Sequence, residues 1–519
     1  MVSSGGGFAA IWYSIAKSVK AGPIEFWRRM FSRNACKTCA YGMGGQSGGM
    51  RNETGSFPEF CKKSVQAMAA DMQPPITDDF FARTPVSDLA AMSSRELENL
   101  GRLATPLSWR PGSSHFVPID WNEAFERTVA ALDRTDPERS FFYSSGRSSN
   151  EAAFLLQWLA RVYGTNNVHN CSYYCHQASG VGLGASIGTG TATVTLDDVH
   201  AADFVLLIGA NPASNHPRIV TELAELRKRG GKVVVVNPMR ETGLDYFRLP
   251  SKPGSLLFNS KINDLYLQPR IGGDIALMKG ILKVVIEEGA CDREYIAAHT
   301  QGFDEVEREI AATSLDNYAA ASGVERDAIE QVGRMYAASK GAIFMWAMGI
   351  THHEHGSDNV AMIASLALAR GMVGRTGAGL MPIRGHSNVQ GIGSVGVAPK
   401  LKTEFLEKME EIYGLQIPTH EGMDSMACVH AAHEGRIDTA LMLGGNFWAS
   451  NPDLDYAADA LGRIGTTIHI STKLNQGHVV PLPSNPDAEV LILPTFTRDE
   501  ELQRTTQESM FNFVRLSDG

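Results

Sequence analysis

The chain has little cysteine, no long hydrophobic run and no excess of positive charge, and each shortage removes a class of protein. Nothing approaches the ~20 consecutive apolar residues that a membrane-spanning helix needs. The apolar run Phe8 to Trp12 is followed too soon by Lys17 and Lys20, so residues 1–22 read as a surface or interaction segment rather than a signal peptide or membrane insertion. Arg28-Arg29 has the look of a twin-arginine signal, but polar residues and cysteines follow it instead of an apolar region. Seven cysteines in 519 residues are odd in number and unevenly spaced, which excludes a disulfide framework and predicts a reducing, cytoplasmic setting. A net charge of -10 argues against nucleic acid or an anionic membrane as partner. No G-x-G-x-x-G follows a first strand, which sets aside a nucleotide-binding dehydrogenase of Rossmann type.

What is present is a long, ordinary globular composition, 43% hydrophobic and 20% charged, in a chain too long for one core. Three or so domains are expected, divided as 1–112, 113–170 together with 361–519, and 171–360. The chain is organised around Asn170-Cys171-Ser172-Tyr173-Tyr174-Cys175-His176-Gln177, just after a helical pattern over Asn150 to Tyr163 and before the glycine-punctuated run Gly180 to Gly190. A thiolate is a soft ligand for a redox metal, and a neighbouring imidazole can favour the thiolate or carry a proton. Cys175 is therefore the candidate reactive atom; the bland alternative is that Cys171 and Cys175 are two small buried apolar residues.

A second cysteine group is Cys36-Lys37-Thr38-Cys39, then a glycine-rich loop, then Cys61-Lys62-Lys63. A two-residue gap lets Cys36 and Cys39 face one metal centre and Cys61 closes the site. A zinc site wants four nitrogen or sulfur ligands, and no histidine lies near enough in sequence to supply the fourth. An iron–sulfur cluster is the better expectation. Residues 87–112 read as the linker out of this region.

Beyond the linker the pattern is strand, loop, helix, repeated. Asp203 to Ile208 is a continuous apolar strand, followed by Gly209-Ala210-Asn211-Pro212-Ala213-Ser214-Asn215-His216, a helix carrying Ile219, Val220, Leu223 and Leu226, and a strand from Lys232 to Val236. About 230 residues later the unit recurs: Thr439 to Leu443, the loop from Gly444 to Asp453, a helix over Leu454 to Leu461, and Thr466 to Ser471. Small residues let backbone approach a phosphate, and a helix N-terminus supplies partial positive charge. Either two similar anionic ligands bind, or the two halves share turn chemistry alone. Gly349-Ile350-Thr351-His352-His353-Glu354-His355 is a His/Glu cluster that could bind metal but reads rather as a polar loop at the mouth of a site, since no helical spacing organises its histidines, and Arg384 to Gly391 is dense in hydrogen-bond donors suited to a polar heterocycle or to a solvated turn.

Together these motifs, in this order, resemble the molybdopterin (bis-guanine-dinucleotide) oxidoreductases, and among them the formate-dehydrogenase-like alpha subunits. The resemblance runs from about Cys36 onward. It implies a multi-domain α/β fold with a small N-terminal iron–sulfur domain and two Rossmann-like doubly wound domains; the family's C-terminal β-barrel domain has no counterpart before Gly519. It implies that Cys36, Cys39 and Cys61 hold a cluster, of four irons with a non-cysteine fourth ligand because the fourth cysteine falls near Met43, and that Lys63 lies between cluster and pterin. It implies that Cys175 ligates molybdenum or tungsten, with His176 beside it as the group that handles the proton. Gly209, Asn211, His216, Asn237 and Pro238 match one dinucleotide site, and Gly445, Asn446, Asp453, Ser471, Thr472 and Lys473 the other. Arg384, Gly385, Asn388, Gln390 and Gly391 match a segment along the pterins. The implied activity is two-electron oxidation or reduction of a small substrate, with electrons passing through the cluster to a partner protein. The arginine that would hold a carboxylate is replaced by Ala361. The alternatives are a relative that kept the fold as a non-enzymatic electron-transfer or interaction subunit, and a C-terminally shortened fragment.

Overall fold

The computed structural model describes residues 4–497 and 500–519. Two sheets carry the architecture. Five parallel strands form one, in the spatial order Leu265–Leu267, Lys232–Val236, Phe204–Ile208, Ala342–Trp346, Gly379–Pro382. Its central strand is apolar throughout because both faces are covered: Phe204, Leu206 and Ile208 enter one core, and Val205 and Leu207 enter the other. The second sheet has seven strands. Val168–Asn170, Ser140–Ser144, Thr439–Leu443, Thr466–Ser471 and Glu489–Pro494 run parallel, and Leu107–Trp109 and Val117–Pro118 add to the edge antiparallel. Phe141 and Tyr143 pack under the helices Ser425–His433 and Leu454–Leu461, whereas Phe142 packs under Asn150–Tyr163.

Both expected strand–loop–helix units are present, one in each sheet, with the second matching its expected strand and helix limits residue for residue. Three expectations change. The chain does not leave the five-stranded sheet at residue 360, which lies within the helix Gly356–Leu368; strand Gly379–Pro382 still belongs to that sheet. The linker expected over 87–112 holds the helix Ser94–Leu100 and the edge strand Leu107–Trp109. The glycine-rich run after Cys175 is largely the helix Gln177–Ile187, whose glycines let it lie close against Gly356–Leu368. A Cβ on Gly182 would come within 2.6 Å of the Ser357 carbonyl and 2.8 Å of Val360 Cβ.

The N-terminal segment is helical. Phe8–Lys20 and Pro23–Met30 pack on Lys62–Asp71 through a small core that includes Phe26, Met30, Met43, Met50 and Met68. A hairpin, Thr505–Glu508 with Val514–Ser517, ties this region to the helix Asn150–Tyr163. Among the described residues no helix is long and apolar enough to cross a membrane.

Candidate active site

The carboxyl ends of adjacent strands Ser140–Ser144 and Thr439–Leu443 carry loops that turn to opposite faces, and open α/β sheets take ligands in such a crevice. The crevice here is a cleft of about 720 Å³ lined by Ser145, Arg147, Gly444, Gly445, Asn446 and the segment Ser471 to Asn475. Gly444 and Gly445 have φ of 69° and 78°, a region costly for a side-chain-bearing residue, and a Cβ on either would sit 3.3 Å from Ser145 Cβ. The backbone is thus bare along one wall. Arg147, Lys37 and Lys473 line the cleft together with Asp71, Glu98 and Glu501, and Lys37 pairs with Glu501. The Lys473 ammonium meets the Gln73 side-chain oxygen and lies 3.2 Å from the Glu98 carbonyl, and burial lowers its pKa.

Cys175 follows strand Val168–Asn170 and the short turn Cys171–Tyr174, and stands two residues before the helix Gln177–Ile187. Asn170 fixes that turn, its Oδ1 accepting from the Ser172 amide at 2.7 Å and its amide nitrogen donating to the Val397 carbonyl at 2.6 Å. Burial raises the Cys175 pKa; the Gly385 amide, which donates to the sulfur, and the Arg384 cation pull it back down. Arg384 is itself buried, and its Nη2 donates to the Gly190 carbonyl at 2.7 Å while its Nε has no partner. A buried guanidinium donor left open beside a thiol suits an anionic group placed between them.

The second cysteine of the motif is held differently. Cys171 accepts from the Gly146 amide at 3.1 Å and meets His386 Nδ1 at 3.1 Å, and burial pushes its thiol up to about 12. His176 is also occupied: one ring nitrogen meets Ser179 Oγ at 2.9 Å and the other the Ile383 carbonyl at 3.0 Å, and burial lowers its pKa to about 3. Trp346 Nε1 donates to the same Ser179 hydroxyl. With both nitrogens engaged, His176 anchors the turn and has no free position from which to handle a proton, contrary to the sequence expectation.

The remaining candidates divide. Gly445, Asn446, Ser471, Thr472 and Lys473 line the large cleft; Asp453 instead caps the helix Leu454–Leu461, accepting from the Tyr456 amide at 2.9 Å. In the other unit, Gly209 is needed because its backbone touches Gly349, and Asn211 caps a short helix. His216 Nε2 donates to the Arg384 carbonyl at 2.7 Å, which places the ring proton on that nitrogen. Asn237 accepts from the Met239 amide and Pro238 offers its carbonyl to Gln268. Asn388 donates to the Ser148 carbonyl and to Asn150 Oδ1 and accepts from the Glu508 amide, and Gln390 donates to Glu508 and Asn512. Gly385 supplies backbone, and Gly391 supplies space: a Cβ there would overlap the side-chain oxygens of Asn388 and Asn150. Gly391→Ala is expected to lower unfolding stability by about 3 kcal/mol, through overpacking and loss of those hydrogen bonds. Urea titration of the variant against the wild-type chain measures it, and an unchanged midpoint would refute the packing role.

Cys36, Cys39 and Cys61 lie within electrostatic reach: burial raises the Cys39 pKa to about 12, with the charges of Cys61 and Cys36 adding to it. They do not converge as a ligand set. Among the described residues no three His, Cys, Asp or Glu side chains are placed to hold a metal, and the Cys36 thiol turns to Thr38 Oγ1 at 3.1 Å. Met43, where a fourth cysteine was expected, is packed in the methionine-rich core. Lys63 is not among the residues lining the cleft, whereas Lys37 is; sequence reasoning passed over Lys37 although it sits beside Cys36. The histidine loop is likewise no metal site. His352 reaches the Tyr174 carbonyl at 2.7 Å and His353 the Gly349 carbonyl at 2.8 Å.

Comparison with known proteins places the chain in a family. The family model for molybdopterin oxidoreductase matches residues 102–471. An uncharacterized oxidoreductase of Mycobacterium tuberculosis is 37% identical over 508 residues, which is 95% of this chain and 64% of that protein. Protein YdeP of Escherichia coli is 38% identical over 481 residues, 89% of this chain and 63% of YdeP. A putative formate dehydrogenase of Bacillus subtilis, YrhE, is 29% identical over 405 residues, 75% of this chain and 40% of YrhE. The chain thus spans less than two thirds of the length of these relatives. Among solved structures, acetylene hydratase from Pelobacter acetylenicus superposes with a TM-score of 0.61 at 17% identity, covering 87% of this chain and 60% of that one, which is a likeness of fold. The chain belongs to the molybdopterin oxidoreductase family.

Proposed function

We propose that this chain is the cofactor-binding body of a molybdenum- or tungsten-dependent, bis-molybdopterin-guanine-dinucleotide oxidoreductase that acts on a small substrate. The observation that carries the reading is the Cys175 thiol, held by the Gly385 amide beside a buried Arg384 with an open Nε. Cys175 would hold the metal, Arg384 an anionic edge of the pterin, and the bare Gly444-Gly445 wall with Arg147 and Lys473 a dinucleotide in the cleft. When bound, such a group supplies two-electron redox chemistry at the metal. This chain's part is to bind and orient it, and to keep water from the sulfur by burial. The formate-dehydrogenase-like reading is supported by the likeness to YrhE, but Ala361 offers no cation to a carboxylate.

Cys36, Cys39 and Cys61 are the thiols for an iron–sulfur cluster in this reading, supported by their electrostatic proximity; their side chains would have to turn toward one another to bind it, and no step is derived through it. Elemental analysis of anaerobically purified protein is expected to find about one Mo or W per chain, with three to four Fe if the cluster forms, as the ligand count implies. Iron without Mo or W would instead favour the non-enzymatic electron-transfer subunit, the reading to which the methionine packing around Met43 lends nothing.

A further inference from the structure

The helix Phe8–Lys20 turns its most apolar stripe outward. Phe8, Trp12, Ile15 and Val19, spaced four, three and four residues apart, lie on one outer line, with Trp12 69% and Val19 61% exposed. The line continues onto a second element. Gly7 donates to the Arg248 carbonyl at 2.9 Å, and Arg248 in turn donates to the carbonyls of Leu256 and Leu257 at 2.8 and 3.0 Å. That bond holds up the turn of Pro253–Phe258, where Leu257 is 60% and Phe258 84% exposed. Isolated exposed apolar residues are ordinary, but six large ones on two bonded elements are a patch.

The charge around this patch runs against the rest of the chain. Residues 1–33 hold five lysines and arginines against one glutamate, and residues 224–261 hold eight against three acids, in a protein of net charge -10. Beside the turn is a cleft of about 520 Å³ whose rim includes Lys228, Lys252, Lys261, Ser255 and Ser260. Its one carboxylate, Glu225, is shared between Lys252 at 3.2 Å and Lys228 at 3.9 Å.

We propose that this face seats the protein on an anionic phospholipid surface, with the Phe8, Trp12, Leu257 and Phe258 side chains entering the interface and the 224–261 lysines meeting headgroup phosphates. Aromatic and aliphatic side chains on an exposed stripe, flanked by lysines, have the chemistry of an interfacial element. Charge decides the occupant. A second copy would bring two basic faces together, and the stripe lines none of the described clefts, where a docking protein helix would want a groove. Attraction to the bilayer acts within about one Debye length, on the order of 10 Å, so the local basic face outweighs the acidic remainder of the chain. The whole-chain charge, which argued against an anionic membrane, conceals it.

Co-sedimentation of the 519-residue chain with phosphatidylcholine vesicles, with and without phosphatidylglycerol, tests this. Binding is expected to the anionic vesicles only and to weaken as salt is raised. Lys252→Glu/Lys261→Glu is expected to weaken it by about tenfold or more. Trp12→Glu/Phe258→Glu is expected to remove it as well, and because both positions are exposed, circular dichroism should show the fold intact. Inorganic phosphate at matched charge should not compete the protein off the vesicles if the apolar stripe contributes; full competition would reduce the face to a free-anion site and overturn the proposal. Equal binding to neutral vesicles, binding to neither, or concentration-dependent dimerisation lost in Trp12→Glu would overturn it too.

Discussion

Brought from pH 7 to pH 4, the protein is expected to unfold; four buried histidines are enough to drive it, with His176 and His386 adding to them. His169, His216, His469 and His478 are buried, and burial holds their pKa values down, to about 3 for His169, about 4 for His216 and His469, and well below 6.5 for His478. In the unfolded chain the same side chains bind a proton near pH 6.5. Between that value and their folded pKa values the unfolded state therefore carries more protons, so the stability present above pH 6.5 is lost as pH falls. Each histidine withdraws about 1.4 kcal/mol per pH unit across the window, and four together on the order of 5 kcal/mol per pH unit, against a total stability of order 5–15 kcal/mol. Urea midpoints at pH 7, 6 and 5, followed by tryptophan fluorescence, measure the slope. His169→Asn should flatten it by about one proton's worth, and equal midpoints at pH 7 and pH 5 would rule the mechanism out.

Those histidines show what the sequence could and could not reveal. Strands such as Thr439–Leu443 and Thr466–Ser471 were legible because short runs of apolar and β-branched residues end at glycine or polar turns, and the helix Leu454–Leu461 because Asp453 caps it. The same local reading put Gly180 to Gly190 outside a helix. Glycine is a poor helix former, but Gly182 serves the contact with Ser357 and Val360, and those partners are more than 170 residues away in sequence. His176 failed for a related reason. Its adjacency to Cys175 is plain in the sequence, but neighbouring residues point different ways, and the imidazole's direction is set by Ser179, Trp346 and the Ile383 carbonyl. Lys37 is the converse: its neighbour Cys36 drew attention to the metal, and only the folded chain shows that the lysine belongs to the cleft. The order of motifs along the chain was enough to indicate the family, because order survives where side-chain direction cannot be read.

Direction is also what separates the two cysteines one helical turn apart, and it sets the largest effect expected at the site. Cys175→Ala should keep the Mo or W content of the wild-type chain, since in the proposed reading Arg384 and the cleft residues Arg147 and Lys473 would still hold the organic part of the cofactor, and yet bring turnover down by more than about a hundredfold, beyond what removal of an outer-shell partner typically costs. Cys171→Ala should leave turnover within a small factor. Its thiol is spent on the Gly146 amide and His386, and an alanine there loses one modest hydrogen bond, about 1 kcal/mol of stability. A screen for substrate precedes the turnover measurement, so a second readout is needed that does not depend on it. X-ray absorption at the metal edge should lose one sulfur neighbour in Cys175→Ala and none in Cys171→Ala. The reverse pattern would move the ligand to Cys171, and no change in either would detach both thiols from the metal. Both sulfurs have an amide and a cation drawing them toward the thiolate, Gly385 and Arg384 at Cys175, Gly146 and Arg147 at Cys171; Cys175 is favoured because the Arg384 beside it keeps an open Nε for an anionic group, while the Cys171 thiol is spent on His386 and the charge of Cys175 opposes a second thiolate beside it.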